Sequence, residues 1–178
     1  MAVLTEAQRE PLAGTWTLDP VHSTIGFELP YLGGTFRGQF RDVDAKLTAD
    51  SLSGSARIAS IDVKDENLVA HLQSPEFFDV ERHRELTFVS RSIERVGDDL
   101  TVRGDITIRG TTEPVDLTGT LIGPFTDALE RERVNLDLET TIDRTDFGLN
   151  WNMPLPSGEP ALANDVKLVA ELYFVREA

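Results

Sequence analysis

The side chains that carry chemistry most readily are few and scattered. The histidines His22, His71 and His83 never fall within three or four positions of one another, so the spacing of a local metal site is missing and no metal is expected. The favoured reading is that His71 packs and bonds while the other two face solvent. Asp143, Arg144 and Asp146 place one arginine between two acids. Charge-assisted bonds can knit such a triplet into a compact ion-pair network, and a brace for the following loop is favoured over a catalytic acid. Ser23 follows His22, but adjacency does not align a nucleophile with a base. There is no Gly-x-Ser-x-Gly elbow and no phosphate-binding glycine loop. With no cysteine in the chain, thiolate nucleophiles, disulfides and cysteine-held metals are excluded. No catalytic residue and no cofactor is assigned.

What remains is apolar. Phe27, Phe36, Phe40, Phe77, Phe78, Phe88, Phe147 and Trp151, with Ile106 and Leu117, are the candidate ligand-binding set. Singly, each reads as core. Together with Gly38, Gly104 and Gly119 set inside strands, where they remove side-chain volume, they can line a cavity. Asn67 to Ser90 is the stretch that breaks the pattern. Asn67 is a candidate cap for a short helix. Leu68, Val69, Leu72 and His71 would share one helical face, and Ser74-Pro75 would end it, because a residue before proline leaves helical geometry. Glu76, Phe77, Phe78 and Asp79 follow. This reads as a plug or lid.

The rest is short strands with period-two apolar residues. Trp16 and Leu18 begin, Asp19-Pro20 turns, and Ile25, Phe27 and Leu29 share a face until Pro30 marks an edge or bend. Gly33-Gly34 permits a tight turn. Phe36 to Phe40 and Val43 to Leu47 form a strand whose face shifts midway, which needs a bulge or bend. Ser51 to Gly54 reads as a turn. Leu86 to Ile93, Leu100 to Ile108, Val115 to Leu121 and Val134 to Ile142 follow, then a long loop over 144–160. The last strand, Val166 to Phe174, is apolar on both sides and is expected to be covered on both. Eight or nine strands with hairpin-length turns suit a closed barrel around one small ligand or a two-sheet sandwich.

At 178 residues the chain reads as a leader over 1–13 and one domain over 14–178. Its 31 acidic against 17 basic side chains give a net charge of -14. Such a balance argues against nucleic acid, whose affinity comes from lysine and arginine on phosphate, and against lasting residence on an anionic membrane. The charged residues Glu6, Arg9 and Glu10 leave no signal-peptide core at the start and no run approaches a membrane span, so a cytoplasmic protein without stable membrane insertion is expected.

Several motifs, taken in order, carry a resemblance: Trp16-Thr17-Leu18-Asp19-Pro20-Val21-His22-Ser23, Phe36-Arg37-Gly38-Gln39-Phe40, His71-Leu72-Gln73-Ser74-Pro75-Glu76-Phe77-Phe78-Asp79-Val80, Leu86-Thr87-Phe88-Val89-Ser90, Gly104 to Thr112, Asp143-Arg144-Thr145-Asp146-Phe147-Gly148 and the closing strand from Asp165. The set resembles the YceI family over about residues 14–176. The resemblance implies an all-β fold: an extended, antiparallel, eight-stranded, lipocalin-like barrel with a short helical lid and a long apolar cavity. It implies binding, storage or transport of a polyisoprenoid or similar fatty amphiphile rather than an enzyme, and members often pair as homodimers. The chain departs from the pattern at Leu68 and Val69, and at Pro30 and Tyr31, where the family often has charged or basic residues. These changes strip polar groups from the mouth and weaken the case for a pyrophosphate head. The alternatives are an enzyme acting on an apolar substrate through His71 with Asp143, Arg144 or Asp146, and a stress-related protein with a fully packed barrel.

Overall fold

The computed structural model describes residues 12–177. Eleven strands form one antiparallel sheet: β1 Trp16–Leu18, β2 Thr24–Tyr31, β3 Gly34–Phe40, β4 Val43–Leu47, β5 Leu52–Arg57, β6 Ile61–Asp62, β7 Glu85–Val96, β8 Asp99–Ile108, β9 Thr111–Thr126, β10 Glu132–Asp143 and β11 Asp165–Arg176. The sheet closes because β11 pairs with β10 on one side and with both β1 and β2 on the other. The first six strands are three long strands, each broken once. β1 and β2 run along β11; β4 pairs with β1 while β3 pairs with β2; β5 pairs with β4 while β6 pairs with β3. Counted that way the barrel has eight strands, as the resemblance implies.

The breaks have local causes. Asp19-Pro20 turns the chain between β1 and β2, held by the Ser23 backbone N–H on the Asp19 carbonyl. The face shift between Phe40 and Val43 is a bend at Arg41-Asp42. The β2–β3 hairpin turns at Leu32 and Gly33, both at positive φ, a conformation glycine adopts without strain. Pro30 lies past Glu28, where β2 has left β11, so its missing N–H costs no ladder bond. The turn read at Ser51 to Gly54 falls instead at 48–51, tied by the Thr48 and Ser51 hydroxyls at 2.8 Å. Gly54 is inside β5, opposite Ala45 and Phe88.

The helix α1, Glu66–Gln73, follows β6 and fills the gap between β6, which pairs only with β3, and β7. Its cap is Asp65 rather than Asn67. The extended Asp65 accepts from the backbone N–H groups of Asn67 (2.8 Å) and Leu68 (3.1 Å), so Asn67 lies within the first turn. Ser74, before Pro75, ends it.

The two ends of the barrel differ. At one end Leu12, Trp16, Leu47, Val102, Val134 and Phe174 are almost wholly buried. Register stacks this set: Trp16 lies opposite Leu47, and Leu18 and Val134 opposite Phe174. The Leu12 carbonyl accepts from the Trp16 indole at 3.1 Å, which satisfies the one polar group of a buried tryptophan. The remaining leader positions, 1–11, lie outside the described residues. Only the inner face of β11 is covered; Val169, Tyr173 and Val175 on the outer face are half-buried.

Candidate ligand cavity

The other end is hollow. A cavity of about 250 Å³ opens under α1, between β2, β3, the ends of β10 and β11, and the loop over 148–164. A second, of about 80 Å³, continues toward the middle of the barrel. Phe40, Leu86 and Leu168 line both and form the neck between them.

Nine of the ten candidate residues line these spaces. Phe27, Phe36, Phe40, Phe77, Phe78 and Trp151 face the larger; Phe40, Phe88, Ile106 and Leu117 face the smaller. Phe147 does not. It sits in the 3₁₀ turn Arg144–Phe147 with its ring packed into the core at 2% exposure, because that turn points it away from the barrel axis. The aromatic wall is continuous: the Phe27 ring lies 6.1 Å from Phe36 and 5.9 Å from Phe40, and Phe40 meets Phe78 edge-on at 6.1 Å. His71, Phe77 and Trp151 form a second cluster at the lid, with His71 edge-on to both rings.

The strand glycines do not hold this space open. A Cβ on Gly38 would overlap the Phe27 ring, and one on Gly104 would meet the Phe88 ring at 2.6–2.8 Å. Gly38 leaves room for the Phe27 ring, and Gly104 for the Val89 carbonyl oxygen as well as the Phe88 ring. At Gly119 a Cβ would strike the Asp137 carbonyl, so that glycine serves the close approach of β9 to β10, where it lies opposite Leu138.

The expected Asp143, Arg144 and Asp146 ion-pair network does not form. Asp143 accepts from the Thr145 backbone N–H (2.9 Å) and hydroxyl; those bonds hold its carboxyl below its ordinary pKa. Asp146 is exposed. Arg144 turns inward, 3% exposed, and spends its guanidinium on backbone: Nε donates to the Ala163 carbonyl (2.9 Å), and Nη1 to those of Leu149 (2.6 Å) and Trp151 (2.8 Å). It is a brace for the loop, through carbonyls instead of carboxylates, and it also lines the larger cavity. Arg109 performs a similar service, donating to the Gly148 carbonyl (2.6 Å) and, across to the lid, the Pro75 carbonyl (2.8 Å).

Of the histidines, His71 lines the larger cavity and the other two do not. His71 bonds Glu76 at 2.8 Å through Nε2, and His22 bonds Asp19 at 2.8 Å through Nδ1 in an exposed corner. His83 is half-buried against Gly110 rather than solvent-facing. Among the described residues no group of three or more His, Asp or Glu side chains is arranged to hold a metal ion. No described helix is long and apolar enough to cross a membrane.

Sequence reasoning missed the wall contributed by Leu149, Met153, Ala161 and Leu162 in the long loop, and by Arg144 itself. The loop's apolar residues follow no period, so pattern reading passes over them. Two departure positions, Tyr31 and Leu68, line the cavity.

Comparison with known proteins agrees with this architecture. Protein YceI of Escherichia coli O17:K52:H18 is 30% identical over 158 residues, spanning 84% of this chain and 83% of that one. The UPF0312 protein ECA1782 of Pectobacterium atrosepticum is 30% identical over 164 residues, covering 88% and 82%. Among solved structures, Burkholderia cenocepacia BcnA superposes with a TM-score of 0.76 at 21% identity, over 88% of this chain and 98% of BcnA. A polyisoprenoid binding domain from Saccharophagus degradans, implicated in plant cell wall breakdown, gives 0.68 at 12% identity, over 91% and 98%. The sequence model of the YceI-like domain matches residues 16–174, and the chain belongs to that family.

Proposed function

We propose that the barrel binds the hydrocarbon chain of a long amphiphile, a polyisoprenoid or similar molecule, for storage or transport. One observation carries the reading: two apolar cavities, about 250 and 80 Å³, lie end to end and share a neck of three apolar side chains. A wall of phenylalanines, leucines and isoleucines gains about 0.8 kcal/mol per methylene it covers. Ten methylenes would supply on the order of 8 kcal/mol before entropic costs, which corresponds to roughly micromolar dissociation. No catalytic group is needed. The polyisoprenoid-binding neighbour supports the same chemistry.

The void speaks against a fully packed barrel. The bonds of Arg144 to three backbone carbonyls and of Asp143 to Thr145, with Asp146 exposed, speak against the catalytic alternative. Native mass spectrometry of gently purified protein, followed by addition of prenyl and fatty lipids, tests the proposal. The expected result is a bound species of lipid mass or stoichiometric uptake of an added chain. Protein recovered empty that also ignores every added chain refutes it. A cytoplasmic location and a homodimer belong to the same proposal, checked by cell fractionation and sedimentation.

A further inference from the structure

Arg144, which lines the larger cavity, carries one buried atom with no partner. Arg144 Nη2 is buried and makes no hydrogen bond, while Nε and Nη1 of the same guanidinium are fully engaged. Arginine stays protonated in proteins, so this is a cation at 3% exposure in the wall of an otherwise apolar space. Among the described residues no carboxylate is ion-paired with it; Asp143, whose charge acts on it, spends its bonds on Thr145. A buried charge of this kind is costly unless it is paired and hydrogen-bonded.

We propose that Arg144 is a head-group site, and that the ligand is a long-chain carboxylate whose acid group accepts a hydrogen bond from Nη2 inside the cavity. This rests on the chain-binding reading above and names the chemistry at the head. Three donor bonds to backbone fix the guanidinium, leaving Nη2 as its free donor edge. Burial presses the guanidinium's pKa down, and the Asp143 charge opposes that; an incoming carboxylate supplies the missing compensation. Arg144 stands at the end of β10, near the lid, and the second cavity lies farther into the barrel. The acid group therefore stays at the lid end and the hydrocarbon points toward the Phe40 neck, beyond which lie Ile106 and Leu117. At roughly 30 Å³ per water-sized unit, the larger cavity of about 250 Å³ holds a chain of about eight carbons.

Isothermal titration of the wild-type protein with decanoate, 1-decanol and decylammonium at neutral pH tests this without a mutation. A charge-assisted bond in a dry wall predicts decanoate binding at least about tenfold tighter than decanol, with decylammonium weakest. With carboxyl-labelled decanoate, the bound acid is expected to remain ionised to lower pH than the free acid, a shift that a merely structural arginine would not produce. Arg144→Met is expected to erase the preference for the acid. Because the loop also depends on Arg144, that variant is read only where its circular dichroism matches wild type. Decanol binding as tightly as decanoate, or an unshifted carboxyl titration, overturns the head-group site and leaves chain binding standing. Failure of all three probes to bind overturns both.

Discussion

Phe40 offers the sharpest test of how the cavities work. Its ring is 3% exposed, lies 5.9 Å from Phe27 and 6.1 Å from Phe78, and borders both spaces. Phe40→Ala removes the neck. The two volumes, about 250 and 80 Å³, then join each other and the space the ring leaves. Loss of a buried phenylalanine costs about 3–5 kcal/mol, or a fall in melting temperature of roughly 6–20 °C at this chain length. The binding consequence runs the opposite way. In the wild type, affinity for straight chains is expected to climb about fourfold per methylene, from 0.8 kcal/mol each, and to flatten when the larger cavity fills at about eight carbons. In Phe40→Ala the climb continues by several more carbons. Titration calorimetry with chains from hexyl to octadecyl measures both curves, and Phe40→Leu gives an intermediate case if the alanine variant is too unstable. Identical plateaus in both proteins would show that Phe40 does not set the chain-length limit, and would refute the end-to-end reading.

Three further outcomes are expected. Arg133 bridges Asp19 at 3.1 Å and Asp127 at 2.6 Å. The Arg133 bond, then backbone N–H groups of Arg131 and Leu129, hold the Asp127 carboxyl well below the usual carboxylate range. At Asp19 burial pushes the pKa up but bonds from His22 and Arg133 outweigh it. Carboxyls lowered in the folded state stabilise it above their ordinary pKa near 4, and that stability is lost as pH falls through the folded values; Arg133→Met should flatten the decline in urea midpoint below pH 4, and an unchanged decline would count against the cluster. Asp65→Ala removes the cap of α1 and should cost about 1 kcal/mol, seen as faster amide exchange in residues 66–73, whereas Asn67→Ala should cost less. Arg109→Met cuts the tie between the lid and the Gly148 corner, and should raise ligand on- and off-rates together in stopped-flow with the Trp151 signal; unchanged rates would mean that the lid is held by packing alone.

The strand pattern made the barrel legible because inward residues recur at every second position, as in β8, where Leu100, Val102, Ile106 and Ile108 are all buried. The aromatic wall was legible for the same reason. Other features were not. Asp65 and Asn67 are both good caps, and only backbone geometry separates them. Gly38 and Gly104 announce missing volume, but the sequence cannot say that Phe27 and Phe88 occupy it, since those partners lie on neighbouring strands. Asp143, Arg144 and Asp146 look like an ion-pair cluster until the 3₁₀ turn sends the arginine inward and Asp146 outward. Sequence proximity of opposite charges says nothing about which way each side chain is turned.

The contrast between the barrel's ends has an energetic meaning. An empty apolar cavity forfeits packing at about 24 cal/mol per Å³, so 250 Å³ costs on the order of 6 kcal/mol, comparable with the whole net stability of an ordinary domain. Packing at the closed end, around Trp16, Val134 and Phe174, must offset that cost. The hollow end then depends on polar ties from side chains to loop backbone, the bonds of Arg144 and Arg109. Those ties hold the cavity's rim in place without filling its interior, which apolar packing alone cannot do. A chain entering the cavity restores lost contacts and stabilises the fold by mass action. The same void that weakens the empty barrel is therefore the source of its affinity.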